Sequence, residues 1–134
     1  MSKVVMFVDD DDAYLFFVRR ACKKIPIVST VIESQDGLCG LEELERRVRA
    51  ADVLPNVVFV DINMPRLDGF GFLEGLHVLR GKYAALQVVR PVAMLTSSDQ
   101  SSDRERAKAL GADAYLVKKD GLAETRDAIL AALA

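Results

Sequence analysis

The residues best suited to chemistry are aspartates that end two short apolar runs. Asp61 directly follows residues 57–60, and Asp9 and Asp10 directly follow residues 4–8. A carboxylate at the end of a buried strand costs free energy unless a partner compensates its charge. If both runs are strands of one sheet, several carboxylates meet at a single edge. Such a cluster predicts a bound metal ion beside a carboxylate that could act as a nucleophile.

A hydroxyl group and an amine follow two further apolar runs. Thr96 follows residues 92–95, and Lys118 follows residues 114–117. Clustered carboxylates repel one another, by about 4 kcal/mol per pair at roughly 4 Å and an effective dielectric constant of about 20. Mg2+ relieves this best, because it binds one or two carboxylates and shares phosphate oxygens. A carboxylate that attacks phosphorus becomes an aspartyl phosphate, whose charge Mg2+, the Lys118 ammonium and the Thr96 hydroxyl would neutralise.

Strand-like and helix-like segments alternate along the chain, and they must position these groups. Short apolar, β-branched runs predict strands over residues 4–8, 27–32, 57–60, 92–95 and 114–117. Apolar residues at helical spacing predict a helix after each strand, and the first covers residues 12–24. One of the aspartates Asp11 and Asp12 is expected to be its N-cap.

The four later helices have start, stop or face signals of their own. Asp36-Gly37 opens the second, and its apolar face is predicted to hold Leu38, Leu41, Leu44 and Val48. The third is marked by Phe70, Leu73, Leu76 and Leu79. A capping box over residues 102–105 opens the fourth, which Gly111 closes. The last helix is capped by Asp120 and runs through Leu133.

The alternating pattern predicts an α/β fold of the (βα)5 type, with a doubly wound, parallel five-stranded sheet covered on both faces. Ligands of such sheets lie beyond the carboxyl ends of the strands, where the strand order reverses. The polar groups described above follow those ends. The sequence therefore predicts that they form one site.

Composition excludes several classes of function. The chain has 134 residues, 51% hydrophobic and 28% charged, so a single domain over residues 1–134 is expected. A net charge of -2 provides no basic field for direct DNA binding. No apolar run approaches the roughly 20 residues that cross a bilayer, and no signal peptide is recognisable. Cys22 and Cys39 lack metal-ligand spacing, so they are expected to be apolar fillers in a protein of the reducing cytoplasm.

Four motifs in this order resemble the response-regulator receiver domain of two-component signalling over nearly the whole chain. They are the first strand followed by Asp9-Asp10, the segment Val-Asp61-Ile-Asn-Met-Pro-Arg-Leu-Asp-Gly69, the segment Val92-Ala-Met-Leu-Thr96-Ser, and Ala114-Tyr115-Leu-Val-Lys118. The resemblance implies a flavodoxin-like sheet of order 2-1-3-4-5. It also implies a single-domain protein similar to the chemotaxis regulators. Ser97-Ser98 and the long connection 81–90 resemble receivers paired with bacterial phytochromes.

The resemblance assigns a role to each residue of the predicted site. Asp61 is implied to be the phosphoacceptor, Asp9 and Asp10 to bind Mg2+, and Asn63 to give the metal a backbone carbonyl. Thr96 is implied to be the hydroxyl that moves towards the phosphoryl group, Lys118 the cation that binds it, and Tyr115 the aromatic switch residue. The implied donor is a histidine kinase or a histidine phosphotransfer protein. The sequence names no downstream target and leaves a homodimer open.

Two other functions remain open. Aspartate-nucleophile phosphatases typically carry a second acid two residues after the nucleophile. That position holds Asn63, which cannot act as a general acid or base. A receiver-like binding module without phosphorylation is the other alternative, although the complete set of site residues argues against it. Beyond self-catalysed phosphotransfer and dephosphorylation, no enzyme activity is expected, and a stand-alone receiver is favoured over a piece of a longer regulator.

One departure from the family pattern affects the predicted phosphate-binding loop. The family usually has Lys-Pro after the fifth strand, with a cis peptide, whereas this chain has Lys118-Lys119. A cis bond before a residue other than proline costs about 2.5–4 kcal/mol. A trans peptide is therefore expected here, with a shifted start to the last helix.

Overall fold

The computed structural model describes residues 2–118 and 121–134. Five parallel strands form one sheet in the order β2-β1-β3-β4-β5. The strands are β1 (Lys3–Val8), β2 (Val28–Ser34), β3 (Val57–Val60), β4 (Val92–Thr96) and β5 (Ala114–Val117). The helices are α1 (Asp12–Lys23), α2 (Gly37–Arg49), α3 (Gly69–Lys82), α4 (Ser101–Ala109) and α5 (Leu122–Leu133). The predicted (βα)5 doubly wound topology is confirmed.

The central strands are buried on both faces, as parallel strands between helices must be. Every residue of β3 and β4 is buried. Successive residues of β1 enter two separate cores because side chains alternate across a strand. Met6 and Val8 pack on the side of α2 and α3, whereas Val5 and Phe7 pack on the side of α1 and α5. This sandwich fixes the strand ends relative to one another.

The predicted capping box over residues 102–105 is wrong. α4 begins at Ser101 with Gln100 as its N-cap, and no side chain caps this end. Asp103 is instead bonded to the Ser98 hydroxyl, which ties the first turn of the helix to the preceding connection. The other end is as predicted, because Gly111 follows the C-cap with φ of +97°, a conformation that favours glycine.

The prediction that Leu38 lies on the buried face of α2 is also wrong. Its side chain is 39% exposed. The buried residues of this helix are Gly37, Gly40 and Leu44. Glycines carry no apolar side chain, so a pattern of apolar residues misplaces the centre of a face that packs through them.

Smaller differences concern element ends. β2 covers Val28–Ser34 instead of residues 27–32, because its pairing with β1 continues to the register pair of Val8 and Ser34. A 3₁₀ helix, Ala84–Val88, lies in the long connection before β4. The N-cap of α1 is Asp11, one of the two predicted. The predicted Asp120 cap and the Lys118-Lys119 peptide lie outside the described residues.

None of the helices formed by residues 2–118 and 121–134 combines the length and apolar character needed to span a bilayer.

Candidate functional site

Strand pairing brings the aspartates that follow β1 and β3 together. The Asp61 N–H donates to the carbonyl of Val8 at 3.0 Å, which continues the β1–β3 ladder beyond the strand. The Asp9 N–H donates to the Ser34 carbonyl at 2.9 Å, at the end of β2. Backbone hydrogen bonds therefore fix both carboxylates at the switch point of the sheet, where the strand order reverses.

The carboxylates of Asp9, Asp10 and Asp61 form a compact cluster. Each offers an oxygen, and these oxygens lie within 4.8 Å of one another. Asp9 is 3% and Asp61 8% exposed, whereas Asp10 is open to solvent. Oxygen ligands in this number suit a hard divalent cation that keeps several waters. We name this set the acid cluster.

One oxygen of each buried acid is committed to the backbone. Asp61 Oδ1 accepts the N–H of Ile62 at 2.7 Å, and Asp9 Oδ1 accepts the N–H of Asp11 at 2.9 Å. Burial raises the pKa of Asp9 above its ordinary value, and the hydrogen bond from Asp11 and the nearby Lys118 offset this only in part. The second oxygen of each acid faces Lys118. The oxygens available for chemistry therefore lie on the Lys118 side of the cluster.

Lys118 reaches the cluster from the end of β5. Its Nζ lies 2.9 Å from Asp9 Oδ2 and 3.2 Å from Asp61 Oδ2, and its N–H donates to the Thr96 carbonyl at 2.8 Å. Burial lowers the pKa of the Lys118 ammonium, but the hydrogen bond and charge of Asp9, together with Asp61, outweigh that effect and raise it. The amine is therefore a protonated cation aimed at two carboxylates.

Ser98 links Thr96 to Tyr115. Thr96 is fully buried, and its Oγ1 accepts the N–H of Ser98 at 3.4 Å. The Tyr115 hydroxyl donates to the carbonyl of Ser98 at 2.9 Å. The Arg104 guanidinium lies 4.6 Å from the centre of the Tyr115 ring and pairs with Asp99 at 2.9 Å. A displacement of Thr96 would therefore move Ser98 and, through it, change the hydrogen bond of Tyr115.

Asn63 stands apart from the other candidates because its side chain is exposed. It belongs to the turn between Asp61 and α3. The N–H of Gly69 donates to the Ile62 carbonyl at 2.8 Å and closes this turn, and Arg66, at φ of +64°, pairs with the buried Asp36 at 2.8 Å. The hydrogen bond from Arg66 lowers the pKa of Asp36, and this ion pair fixes the turn to the start of α2.

Gly69 lets the start of α3 approach the acid cluster, and this gives a first prediction. A methyl group at Gly69 would overlap the Asp61 carbonyl and press on Met94. Gly69→Ala is therefore expected to lower the free energy of unfolding by about 1–3 kcal/mol, as overpacking does. Urea unfolding measures this loss.

Gly81, near the other end of the same helix, is the matched control. A methyl group there meets nothing within 4 Å. Gly81→Ala is expected to leave the free energy of unfolding unchanged or to raise it by about 0.5–1 kcal/mol. Equal stability of the Gly69→Ala and Gly81→Ala variants would contradict the close approach at Asp61.

Tyr14 is the site residue that sequence reasoning missed. Its ring centre lies 4.3 Å from Lys118 Nζ. Its N–H donates to Asp11 Oδ1, so it lies in the first turn of α1, two residues after the acidic run ends at Asp12. Burial, and then the charges of Asp9 and Asp61, raise the pKa of its phenol. Proximity to the acidic run was the only available signal, since helical spacing alone makes Tyr14 look like an ordinary core contact.

Comparison with known proteins finds one family that covers most of the chain. The family model described as the response regulator receiver domain matches residues 5–130. The chain is 33% identical over 127 residues to protein PilG of Pseudomonas aeruginosa strain PAO1, a match that covers 95% of this chain and 84% of PilG.

Two solved structures share the fold. The bacteriophytochrome response regulator RtBRR superposes with a TM-score of 0.73 at 32% identity, over 99% of this chain and 78% of that one. The Mn2+-bound form of the response regulator Rcp1 superposes with a TM-score of 0.74 at 24% identity, over 96% of this chain and 90% of that one.

Proposed function

Because this chain belongs to the response regulator receiver domain family, we propose that it accepts a phosphoryl group on Asp61 and then changes a protein-binding surface. The donor is a phosphohistidine of a histidine kinase or of a histidine phosphotransfer protein. One observation carries this proposal: the oxygens of Asp9, Asp10 and Asp61 lie within 4.8 Å of one another, and Lys118 Nζ is 3.2 Å from Asp61.

Asp61 suits the acceptor role because its two oxygens differ. Oδ1 is held by the Ile62 N–H, whereas Oδ2 faces the site. In the transfer, a P–O bond to Asp61 forms as the P–N bond of phosphohistidine breaks. The electron pair of the broken bond returns to the imidazole, which takes a proton from solvent. An ionised carboxylate needs no base to activate it.

Asp9, Asp10 and Asp61 would hold Mg2+, together with the backbone carbonyl of Asn63. Bound there, the ion supplies charge neutralisation for the transferring phosphoryl group. The burial of Asp9 and Asp61 supports this assignment, since two buried carboxylates gain most from a shared cation. The Mn2+-bound form of Rcp1 lends further support, because that structural neighbour carries a divalent cation.

Lys118 and Thr96 complete the neutralisation from the other side. The Lys118 ammonium donates to an oxygen of the new phosphoryl group, and the Thr96 hydroxyl moves to donate to another. Since Ser98 bonds both Thr96 and Tyr115, this movement alters the setting of Tyr115. The output surface formed by α4 and β5 then shifts between two populations. Water, positioned in part by Asn63, later removes the phosphate.

The two alternative functions, a phosphatase and a binding module without phosphorylation, require different features of the site. An aspartate-nucleophile phosphatase needs an acid where this chain has the exposed Asn63, so that function is disfavoured. A binding module without phosphorylation would be favoured by an absence of Mg2+ affinity. The single domain over residues 1–134, the cytoplasmic location and the homodimer stay predictions.

Transfer from a purified, autophosphorylated histidine kinase tests the proposal. With Mg2+ present, label is expected to leave the kinase and appear on this protein. With the metal chelated, transfer is expected to stop, because the acid cluster then repels the incoming phosphoryl group. Transfer at an unchanged rate without divalent cations would contradict the metal assignment. Failure with both several kinases and acetyl phosphate would favour the binding module.

A further inference from the structure

Tyr14 contacts the one ammonium group that faces the acid cluster among the described residues. Lys118 Nζ lies 4.3 Å from the centre of the Tyr14 ring, 2.9 Å from Asp9 and 3.2 Å from Asp61. A cation this close to an aromatic face is attracted by the negative face of the ring. The ammonium is therefore held by two carboxylates and by one ring. Metal binding and phosphorylation would change the contacts with the carboxylates but not the contact with the ring.

The carboxylate contacts are the ones that chemistry disturbs. On the proposed function, Asp9 would hold the metal and Asp61 becomes an acyl phosphate, so the contacts of Lys118 with both carboxylates weaken or are lost. A lysine side chain has a flexible stem and loses rotamer entropy whenever its end is fixed. The Tyr14 ring is neutral and takes no part in either step, so it can hold the ammonium throughout.

The position of Tyr14 is itself fixed. Its N–H donates to Asp11 Oδ1 at 3.2 Å, and the adjoining Leu15 is buried in the core. The Phe17 ring lies 6.3 Å away, centre to centre. Within the described residues the buried Tyr14 hydroxyl has no hydrogen-bond partner. A buried hydroxyl without a partner lowers stability. The ring of Tyr14 therefore stabilises the fold by packing, and the hydroxyl does not.

We propose that Tyr14 is a positioning residue for phosphotransfer, whose ring face holds the Lys118 ammonium where it can meet the phosphoryl group on Asp61. The inference rests on the proposed function for its kinetic readout and on the ring–ammonium contact for its geometry. The ring carries the effect, and the hydroxyl is dispensable. Tyr14 is not a catalytic residue, because it acts through Lys118.

Two substitutions separate the ring from the hydroxyl. Tyr14→Leu removes both, and phosphorylation by acetyl phosphate with Mg2+ is expected to slow about threefold to thirtyfold, the range for a partly desolvated cation–π contact. Tyr14→Phe keeps the ring and is expected to react at the wild-type rate. If Tyr14→Leu does not fold, Tyr14→Met removes the ring with a longer, flexible side chain that reaches further along the space of the ring. A normal rate for the variant without a ring would overturn the proposal.

A double-mutant cycle shows whether the effect passes through Lys118. In a Lys118→Met background, Tyr14→Leu is expected to cause no further slowing. The same fold-change in both backgrounds would assign Tyr14 a merely structural role and overturn the proposal. Tyr83→Leu is the matched control, because the Tyr83 ring has a lysine contact of its own, Lys82 Nζ at 5.3 Å, away from the site. Its phosphorylation rate is expected to be unchanged.

Proton NMR distinguishes failure of this inference from failure of the proposed function. The Hε protons of Lys118 are on the carbon bonded to Nζ, which lies 4.3 Å from the ring centre. They are expected to be shifted upfield in the wild type and in Tyr14→Phe, and to return downfield in Tyr14→Leu. This readout needs no phosphorylation. If the protein shows these shifts but cannot be phosphorylated, the proposed function is refuted and the contact between Tyr14 and Lys118 is still supported. Unshifted Hε protons in the wild type would overturn the inference, whatever the phosphorylation assay shows.

Discussion

The Asp61→Asn variant is expected to take up no phosphoryl group from acetyl phosphate in the presence of Mg2+. An amide lacks the ionised oxygen that attacks phosphorus. Asp9 is the other buried acid of the cluster, and on the proposed function it holds the metal and does not replace Asp61 as acceptor. Asparagine keeps the carbonyl oxygen that accepts the Ile62 N–H, so the turn after β3 should stay intact. Phosphorylation is measured by intact-protein mass spectrometry.

Asp68→Asn is the matched control for this substitution. It makes the same chemical change in the same turn, but Asp68 is exposed, and its side chain only caps α3 by accepting the Gly71 N–H at 2.8 Å. Asparagine caps helices about as well as aspartate. Asp68→Asn is therefore expected to be phosphorylated like the wild type. Full phosphorylation of Asp61→Asn would contradict the assignment of Asp61 as the phosphoacceptor.

The Lys118→Met variant is expected to separate metal binding from phosphotransfer. Phosphorylation should slow about 100-fold to 1,000-fold, the range for removal of one preorganised donor from a transition state. Mg2+ affinity should rise instead, because the ammonium that lies 2.9 Å from Asp9 and 3.2 Å from Asp61 no longer competes with the metal. Calorimetric titration with Mg2+ and the acetyl phosphate rate measure the two effects.

Lys108→Met provides the comparison for Lys118→Met. Lys108 is an exposed residue of α4, and among the described residues it has no ion pair. Neither its Mg2+ affinity nor its phosphorylation rate should change. If Lys118→Met slows phosphorylation and weakens Mg2+ binding together, Lys118 supports the shape of the whole site instead of binding the phosphoryl group.

The sheet and its site were predictable because burial and strand direction leave few choices. β3 is apolar throughout and β4 is apolar up to its last residue, Thr96, which marks both as central strands with polar residues at their carboxyl ends. Parallel strands put such residues at one edge. Asp9, Asp61 and Lys118 therefore converge as expected, and only the length of the strands decides how closely.

Other features of the site depended on contacts that a sequence pattern does not encode. Leu38 is exposed because α2 packs through glycines. Ser102 does not cap α4, because the helix already begins at Ser101, and Asp103 in its first turn bonds to Ser98. Tyr14 joins the site only because β5 brings Lys118 over its ring. In each case a particular side-chain contact, or the lack of a side chain, decides the outcome.

Locating the phosphoryl group on the chain tests most directly whether Asp61 carries it. Borohydride reduces an aspartyl phosphate to homoserine, which peptide mass spectrometry places on the chain. After phosphorylation with Mg2+, homoserine is expected at position 61 alone, and at no position when the metal is chelated. Homoserine at position 9 or 10, or phosphorylated protein that yields no homoserine at all, would contradict the account.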